Sequence, residues 1–174
     1  MRYVIVCLVE GEALVFHEKL TSEVCKLFQL RRTKLPAHIT LKAPFEAENI
    51  SELEKIIEDF TSSNTKAPMK LEGYKNFRRD VVYMDVQPSK EAVEIHDRLS
   101  DSLKKLPWLE WKANEGKNKV FHCTIVSKKV GNKFQDVMNH VSRYPYKYTI
   151  DFDNITIFQW EENTWKLKKK YIMD

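Results

Sequence analysis

Apolar residues run almost unbroken from Tyr3 to Leu8, which predicts a short buried strand. From about Glu12 to Leu30 they recur as Ala13, Phe16, Leu20, Val24, Leu27 and Phe28, the stripe of an amphipathic helix. Past Pro36, Ala37 to Ala43 alternates as a strand. Ser51-x-x-Glu54 has the form of a capping box and opens a helix with Leu53, Ile56, Ile57 and Phe60 on one face. Asn64 to Pro68 is a loop, and Met69 to Phe77 and Val81 to Val86 are strands about a turn at Arg78 to Asp80. Pro88-Ser89 begins a helix with Ala92, Ile95, Leu99, Leu103 and Leu106 inward, stopped by Pro107. Trp108 to Lys119 is polar and basic and reads as a loop, followed by a strand over Phe121 to Val126. Phe134, Val137, Met138 and Val141 mark a last helix. Tyr148 to Trp160 and Thr164 to Ile172 form a closing hairpin that turns at Glu161-Glu162-Asn163. Lys166, Lys168 and Lys170 line its final strand, either blunting an edge or offering a phosphate-binding face.

The order strand, helix, strand, helix occupies about residues 3 to 62 and recurs over about 81 to 143. It predicts an α/β (α+β) fold in one domain over 1–174, bilobal, with two pseudo-symmetric lobes. Two such units packed about a pseudo-twofold axis would bring their second strands together and set His38 and His122 across one cleft. Only four glycines are present, so no glycine-rich phosphate loop is available. The net charge of +4 suits a phosphate-bearing ligand without demanding a nucleic-acid binder. Cys7, Cys25 and Cys123 have no C-x-x-C spacing and read as free buried thiols. The N-terminal apolar run is too short for a signal peptide and no segment reaches the length of a membrane span, so the expected location is cytoplasmic, with no membrane partner.

Two of the strands carry the chemistry. His38-Ile39-Thr40-Leu41 and His122-Cys123-Thr124-Ile125 share one grammar, His-x-Thr inside an apolar strand. Side chains alternate along a strand, so each His shares a face with its Thr while the intervening residue is buried. Two imidazoles flanking one phosphodiester supply what displacement at phosphorus needs. One takes a proton from the nucleophile and the other gives one to the leaving oxygen. The hydroxyls of Thr40 and Thr124 hold the non-bridging oxygens, where charge develops. The base role falls first to His122 and the acid role to His38, although the symmetry of the motifs leaves the roles interchangeable. Alternation turns Cys123 away from the histidine face. It extends that face to Lys42 in the first motif and to Lys128 past the second, each a phosphate contact or a strand-end surface lysine. Phe45, Phe77, Tyr83 and Trp160 are candidates for stacking a base or for core packing. His96 lies near an apolar stripe and reads as packed, and His17 and His140 as solvated. No H-E-x-x-H, H-x-x-E-H or carboxylate cluster accompanies the histidines, so no metal and no cofactor is expected.

The paired motifs, in this element order and at this length, resemble the 2H phosphoesterase superfamily, in its branch of bacterial 2'-5' RNA ligase-like proteins and cyclic nucleotide phosphodiesterases. The resemblance covers nearly the whole chain and rests on the paired motif. It implies a bilobal α/β fold, each lobe a mainly antiparallel sheet flanked by helices and the central cleft holding both motifs, and metal-independent hydrolysis of 2',3'-cyclic phosphate ends of nucleotides or RNA, or 2'-5' ligation with the same pair swapping duties. It also implies His38 and His122 as catalytic residues and Thr40 and Thr124 as phosphate-holding hydroxyls. Ala37 and Phe121 stand where many members have proline, and Lys128 and Lys129 where many have arginine after the second motif. These departures bear on substrate identity. Rival readings are the same chemistry on an ADP-ribose cyclic phosphate or a 2'-5' oligoadenylate, and a non-catalytic RNA- or nucleotide-binding module that retains the cleft.

Overall fold

A computed structural model describes all 174 residues. Its strands are β1 (Arg2–Leu8), β2 (His38–Glu46), β3 (Ala67–Phe77), β4 (Val81–Pro88), β5 (His122–Ser127), β6 (Lys147–Phe152), β7 (Asn154–Glu161) and β8 (Thr164–Ile172). Its helices are α1 (Gly11–Leu27), α2 (Ser51–Ser62), α3 (Lys90–Leu103) and α4 (Phe134–Val141), the last preceded by a short 3₁₀ turn. The strands form one antiparallel sheet in the order β6-β3-β4-β5-β2-β1-β7-β8. The fold is mixed α/β, as the alternation of periods along the chain implies.

The repeat read from the chain is present as β1-α1-β2-α2 and β4-α3-β5-α4. Its two motif strands lie side by side at the middle of the sheet, joined by a single ladder pair, Ile39 with Cys123. On either side of that join stand four strands, so the sheet has two halves of equal size. One sheet face carries the helices and a core of 41 buried residues, including Ile39, Leu41, Cys123 and Ile125. The other face holds a small apolar patch, Val4, Val6 and Phe158, with Leu8, Leu35 and Trp165 packed on it. No helix is long and apolar enough to cross a membrane. All three cysteines are free and buried.

Three local expectations need correction. The span Tyr148 to Trp160 is two strands, because the chain leaves β6 at Phe152 and enters β7 at Asn154 on the other half of the sheet. The sheet curls enough to allow this. The Lys66 amide donates to the Asp174 carbonyl at 3.1 Å and the Met173 amide to that of Asp153 at 2.7 Å. The crossing is pinned by Asn154, whose Oδ1 accepts from the Leu8 amide at 2.9 Å while its Nδ2 donates to the Leu8 carbonyl at 3.1 Å. Second, Ser51 is the first residue of α2 and caps nothing; Asn49 Oδ1 takes its amide at 2.8 Å, ahead of the capping position. Ser89, by contrast, caps α3 by accepting from the Ala92 amide at 3.1 Å. Third, α1 buries Ala13, His17, Leu20, Thr21, Val24 and Cys25, while Leu27 is exposed. The helix is rotated from the stripe drawn through Phe16 and Leu27.

Asn154 is fully buried, and Asn154→Ala removes the donor to the Leu8 carbonyl and the acceptor of its amide together. We expect a loss of about 2 kcal/mol, read as a lower urea midpoint at unchanged slope.

Candidate active site

The join between β2 and β5 sets the geometry. In an antiparallel pair, register at Ile39 and Cys123 puts His38 across from Thr124 and Thr40 across from His122. The four side chains therefore form a two-by-two array in which each imidazole faces the other motif's hydroxyl. All four are half-buried, while Ile39, Leu41, Cys123 and Ile125 are buried on the opposite face.

Both histidines are held the same way. His38 Nδ1 lies 2.7 Å from the Pro36 carbonyl, and His122 Nδ1 lies 3.0 Å from the Val120 carbonyl. A carbonyl only accepts, so each Nδ1 carries the proton and each neutral ring presents an Nε2 lone pair. The His122 ring is further fixed by Phe77, edge-on at 4.9 Å, and by Tyr83 at 5.2 Å. Tyr83 is the ladder partner of Thr124, so it stands on the same sheet face.

Each motif also carries an extra residue at one place. Opposite β1, Val6 pairs with Thr40 and Ile5 with Lys42, leaving Leu41 unpaired. Opposite β4, Tyr83 pairs with Thr124 and Val82 with Val126, leaving Ile125 unpaired. These matching β-bulges end the alternation directly after each Thr. Lys42 is thereby taken off the histidine face. Its side chain is only 2 % exposed, and its Nζ sits 3.0 Å from Glu115, whose side chain is 4 % exposed. The ammonium also lies 5.2 Å from the Trp111 ring and 5.7 Å from Phe45. Lys128 lies past the end of β5 in the left-handed region, at φ 64°, and is exposed. Phe45 packs in the core against Tyr3 and Trp108. The terminal-strand lysines are engaged by carboxylates: Lys166 by Glu161 and Glu162, Lys168 by Glu54 and Lys170 by Glu10.

Two residues matter that the sequence reading passed over, Glu115 and Lys119, and a third, His17, that it placed in solvent. Glu115 accepts from Lys42, from the Ala43 amide at 2.8 Å and from the Lys112 amide at 2.9 Å. Burial opposes its charge, yet these donors hold its carboxyl below the ordinary value. It ties the 104–121 loop to β2, directly ahead of His122. Lys119, in that loop, is half-buried and makes no ion pair; burial, with Lys42 adding to it, pushes its ammonium down to about 8. His17 is buried, not solvated. Its Nε2 donates to the Thr124 carbonyl at 2.8 Å and its Nδ1 has no partner. Its spacing four residues from Ala13 and from Thr21 was the available signal. His140 is also drawn in, 3.1 Å from the Glu23 carboxylate.

The electrostatics separate the two catalytic candidates. Burial pushes His38 down to about 4, with His17, His122 and Lys119 adding to the effect. Burial, then Lys119, also lowers His122. No group of three His, Cys, Asp or Glu side chains converges to hold a metal ion.

A family model described as the 2'-5' RNA ligase superfamily matches residues 11–164. The chain belongs to that superfamily. It is 22 % identical over 146 residues to a Bacillus pumilus protein named "Putative phosphoesterase", covering 80 % of each chain. Among solved structures, TT0787 of Thermus thermophilus superposes with a TM-score of 0.69 at 13 % identity, over 99 % of this chain and 98 % of that one. The E. coli LigT structure complexed with 3'-AMP gives 0.60 at 15 % identity, over 99 % and 97 %. These likenesses extend the superfamily's fold over the whole chain. The superfamily is one of phosphoesterases and ligases, so the chain is an enzyme of phosphoester chemistry.

Proposed function

We propose that this member of the superfamily is a phosphodiesterase that opens 2',3'-cyclic phosphate ends of nucleotides or RNA, with His38, His122, Thr40 and Thr124 as its catalytic residues. The observation that carries this reading is the two-by-two array of His and Thr, with both rings anchored through Nδ1. Water attacks phosphorus as one Nε2 takes its proton. The bond from phosphorus to one ribose oxygen breaks, and the second imidazole protonates that oxygen, leaving a ribose monophosphate. The Thr hydroxyls donate to the non-bridging oxygens. The environments favour His38 as base and His122 as acid, the reverse of the first assignment, because burial pushes His38 down to about 4 and keeps it neutral well into acid. Substrate phosphate restores the proton that His122 needs, since a nearby anion favours the imidazolium. With a ribose 5'-hydroxyl in place of water as the attacking group and the 3'-oxygen as the group that leaves, the same pair would form a 2'-5' linkage.

The LigT complex with 3'-AMP supports a nucleotide substrate. The test is incubation with adenosine 2',3'-cyclic phosphate, an ADP-ribose cyclic phosphate and a 2'-5' oligoadenylate, each with EDTA. We expect one adenosine monophosphate isomer from the cyclic nucleotide at a rate the chelator leaves unchanged. Activity abolished by EDTA and restored by a divalent ion would transfer the chemistry to a metal.

A further inference from the structure

We infer that the open sheet face beside His38 carries a base-stacking platform, Trp160 and Trp165, that binds single-stranded RNA on the 5' side of the cyclic end. The inference rests on the hydrolase reading above and adds to it a second subsite, which makes an oligonucleotide the preferred substrate.

The ladder places these residues on one face. Thr40 pairs with Val6 and His38 with Leu8; Val6 pairs with Thr156 and Val4 with Phe158. Trp160 follows Phe158 by two, so it shares that face, and Trp165 is its partner across the β7–β8 turn. Trp165 packs on the Val4, Val6 and Phe158 patch. Two strand spacings across and four residues along put Trp160 about 16 Å from Thr40. That is beyond the reach of a mononucleotide seated on the histidines.

The platform is open and positively flanked. Both indoles are half-buried, and Leu167, on the same face, is 58 % exposed. Lys34 Nζ stands 4.9 Å from the Trp160 ring and donates to the Asn163 carbonyl. The Arg2 guanidinium stands 5.7 Å from the Trp165 ring. The carboxylates in the connecting turn, Glu161 and Glu162, are both tied to Lys166. One segment joins platform to site: Lys34 lies over Trp160, Leu35 packs on the apolar patch, and the Pro36 carbonyl anchors His38. A cross-strand aromatic pair stabilises a hairpin by itself, and the edge-on packing of the indoles at 5.2 Å serves that role. Half-open rings flanked by cations, continuous with a phosphate site, are in addition the arrangement that binds single-stranded nucleic acid.

The experiment compares two substrates, adenosine 2',3'-cyclic phosphate and a hexaribonucleotide ending in the same cyclic phosphate. For the Trp160→Ala/Trp165→Ala variant, we expect KM for the hexaribonucleotide to rise about tenfold or more. The mononucleotide rate should stay at the wild-type value. Phe at both positions should restore most of the loss, and Lys34→Glu, on the exposed surface, should raise the same KM severalfold. Equal KM for the hexaribonucleotide in wild type and variant overturns the platform. If the double variant loses the mononucleotide rate as well, Lys34→Glu decides on the same comparison. If wild type turns over neither substrate, the hydrolase reading fails. The platform is then judged by anisotropy of a labelled, unmodified hexaribonucleotide, which should bind wild type at least tenfold more tightly than the double variant.

Discussion

His122→Ala is expected to lower kcat for a 2',3'-cyclic substrate by about 10²–10⁴-fold, and His38→Ala to do the same, since on the proposed mechanism each removes one positioned proton-transfer group. Thr40→Val or Thr124→Val costs less, about 10²-fold, because one donor to the phosphate is lost while others remain. The pH profile separates the roles. The rate falls in acid as the base is protonated, and falls in alkali as the acid loses its proton. Both histidines are lowered from the ordinary 6.5, so the bell in kcat/KM of the free enzyme lies on the acid side of that value. Lys119 adds positive charge near both rings, so Lys119→Met should move both limbs to higher pH. With His38 as base, His38→Ala loses the acid limb and His122→Ala the alkaline one, each limb reporting the coupled pair. Stopped assays from pH 4 to 9 check this. Wild-type rates in both His variants would leave the binding-module reading standing, and an unmoved bell in Lys119→Met would remove that lysine from the site.

Lys42→Met is expected to destabilise the protein by about 3–5 kcal/mol, because it leaves the Glu115 carboxylate buried without its cation. Glu115→Ala should cost as much, since it also frees the Ala43 and Lys112 amides. Differential scanning calorimetry reads both, and the double variant should lose much less than the sum of the two. The carboxyl of Glu115 is held below its ordinary value in the folded state, so its share of the stabilisation is present above the unfolded value and lost as pH falls through the folded one. Activity should fall with stability, because the loop that delivers His122 hangs on this pair. A melting temperature within about 2 °C of wild type, less than the effect of 1 kcal/mol in a chain of this size, would contradict the clamp.

The face shared by each motif's His and Thr was legible because alternation is local. His-x-Thr in a strand fixes a shared face with no knowledge of neighbours, and Ile39 and Cys123 were readable as buried for the same reason. Alternation fails where one residue is inserted, and nothing in Leu41 or Ile125 announces a bulge. Lys42 was accordingly carried onto the wrong face. Its true partner, Glu115, lies 73 residues away in a polar stretch without periodicity. His17 was missed because the stripe was extended to Phe16 and Leu27, whereas the buried face, which keeps Ala13, Leu20 and Val24, turns the other way to take in His17 and Thr21. The break at Asp153 was missed because both flanking segments are good strands, and only the curl of the sheet sends them to different halves.

The position of β1 has a consequence for how the chain is made. β1 is apolar on both faces and sits between β2 and β7, with Tyr3 paired to Gln159. During synthesis β2 arrives early, but the second ladder of β1 waits for the last third of the chain. A nascent or truncated chain ending before Asn154 therefore displays a sticky, unpaired strand edge. Its completion is a long-range closure, slow relative to the local hairpin of β3 and β4. Fragments lacking the final hairpin should accumulate as aggregates, and refolding should be limited by the docking of β7 against β1.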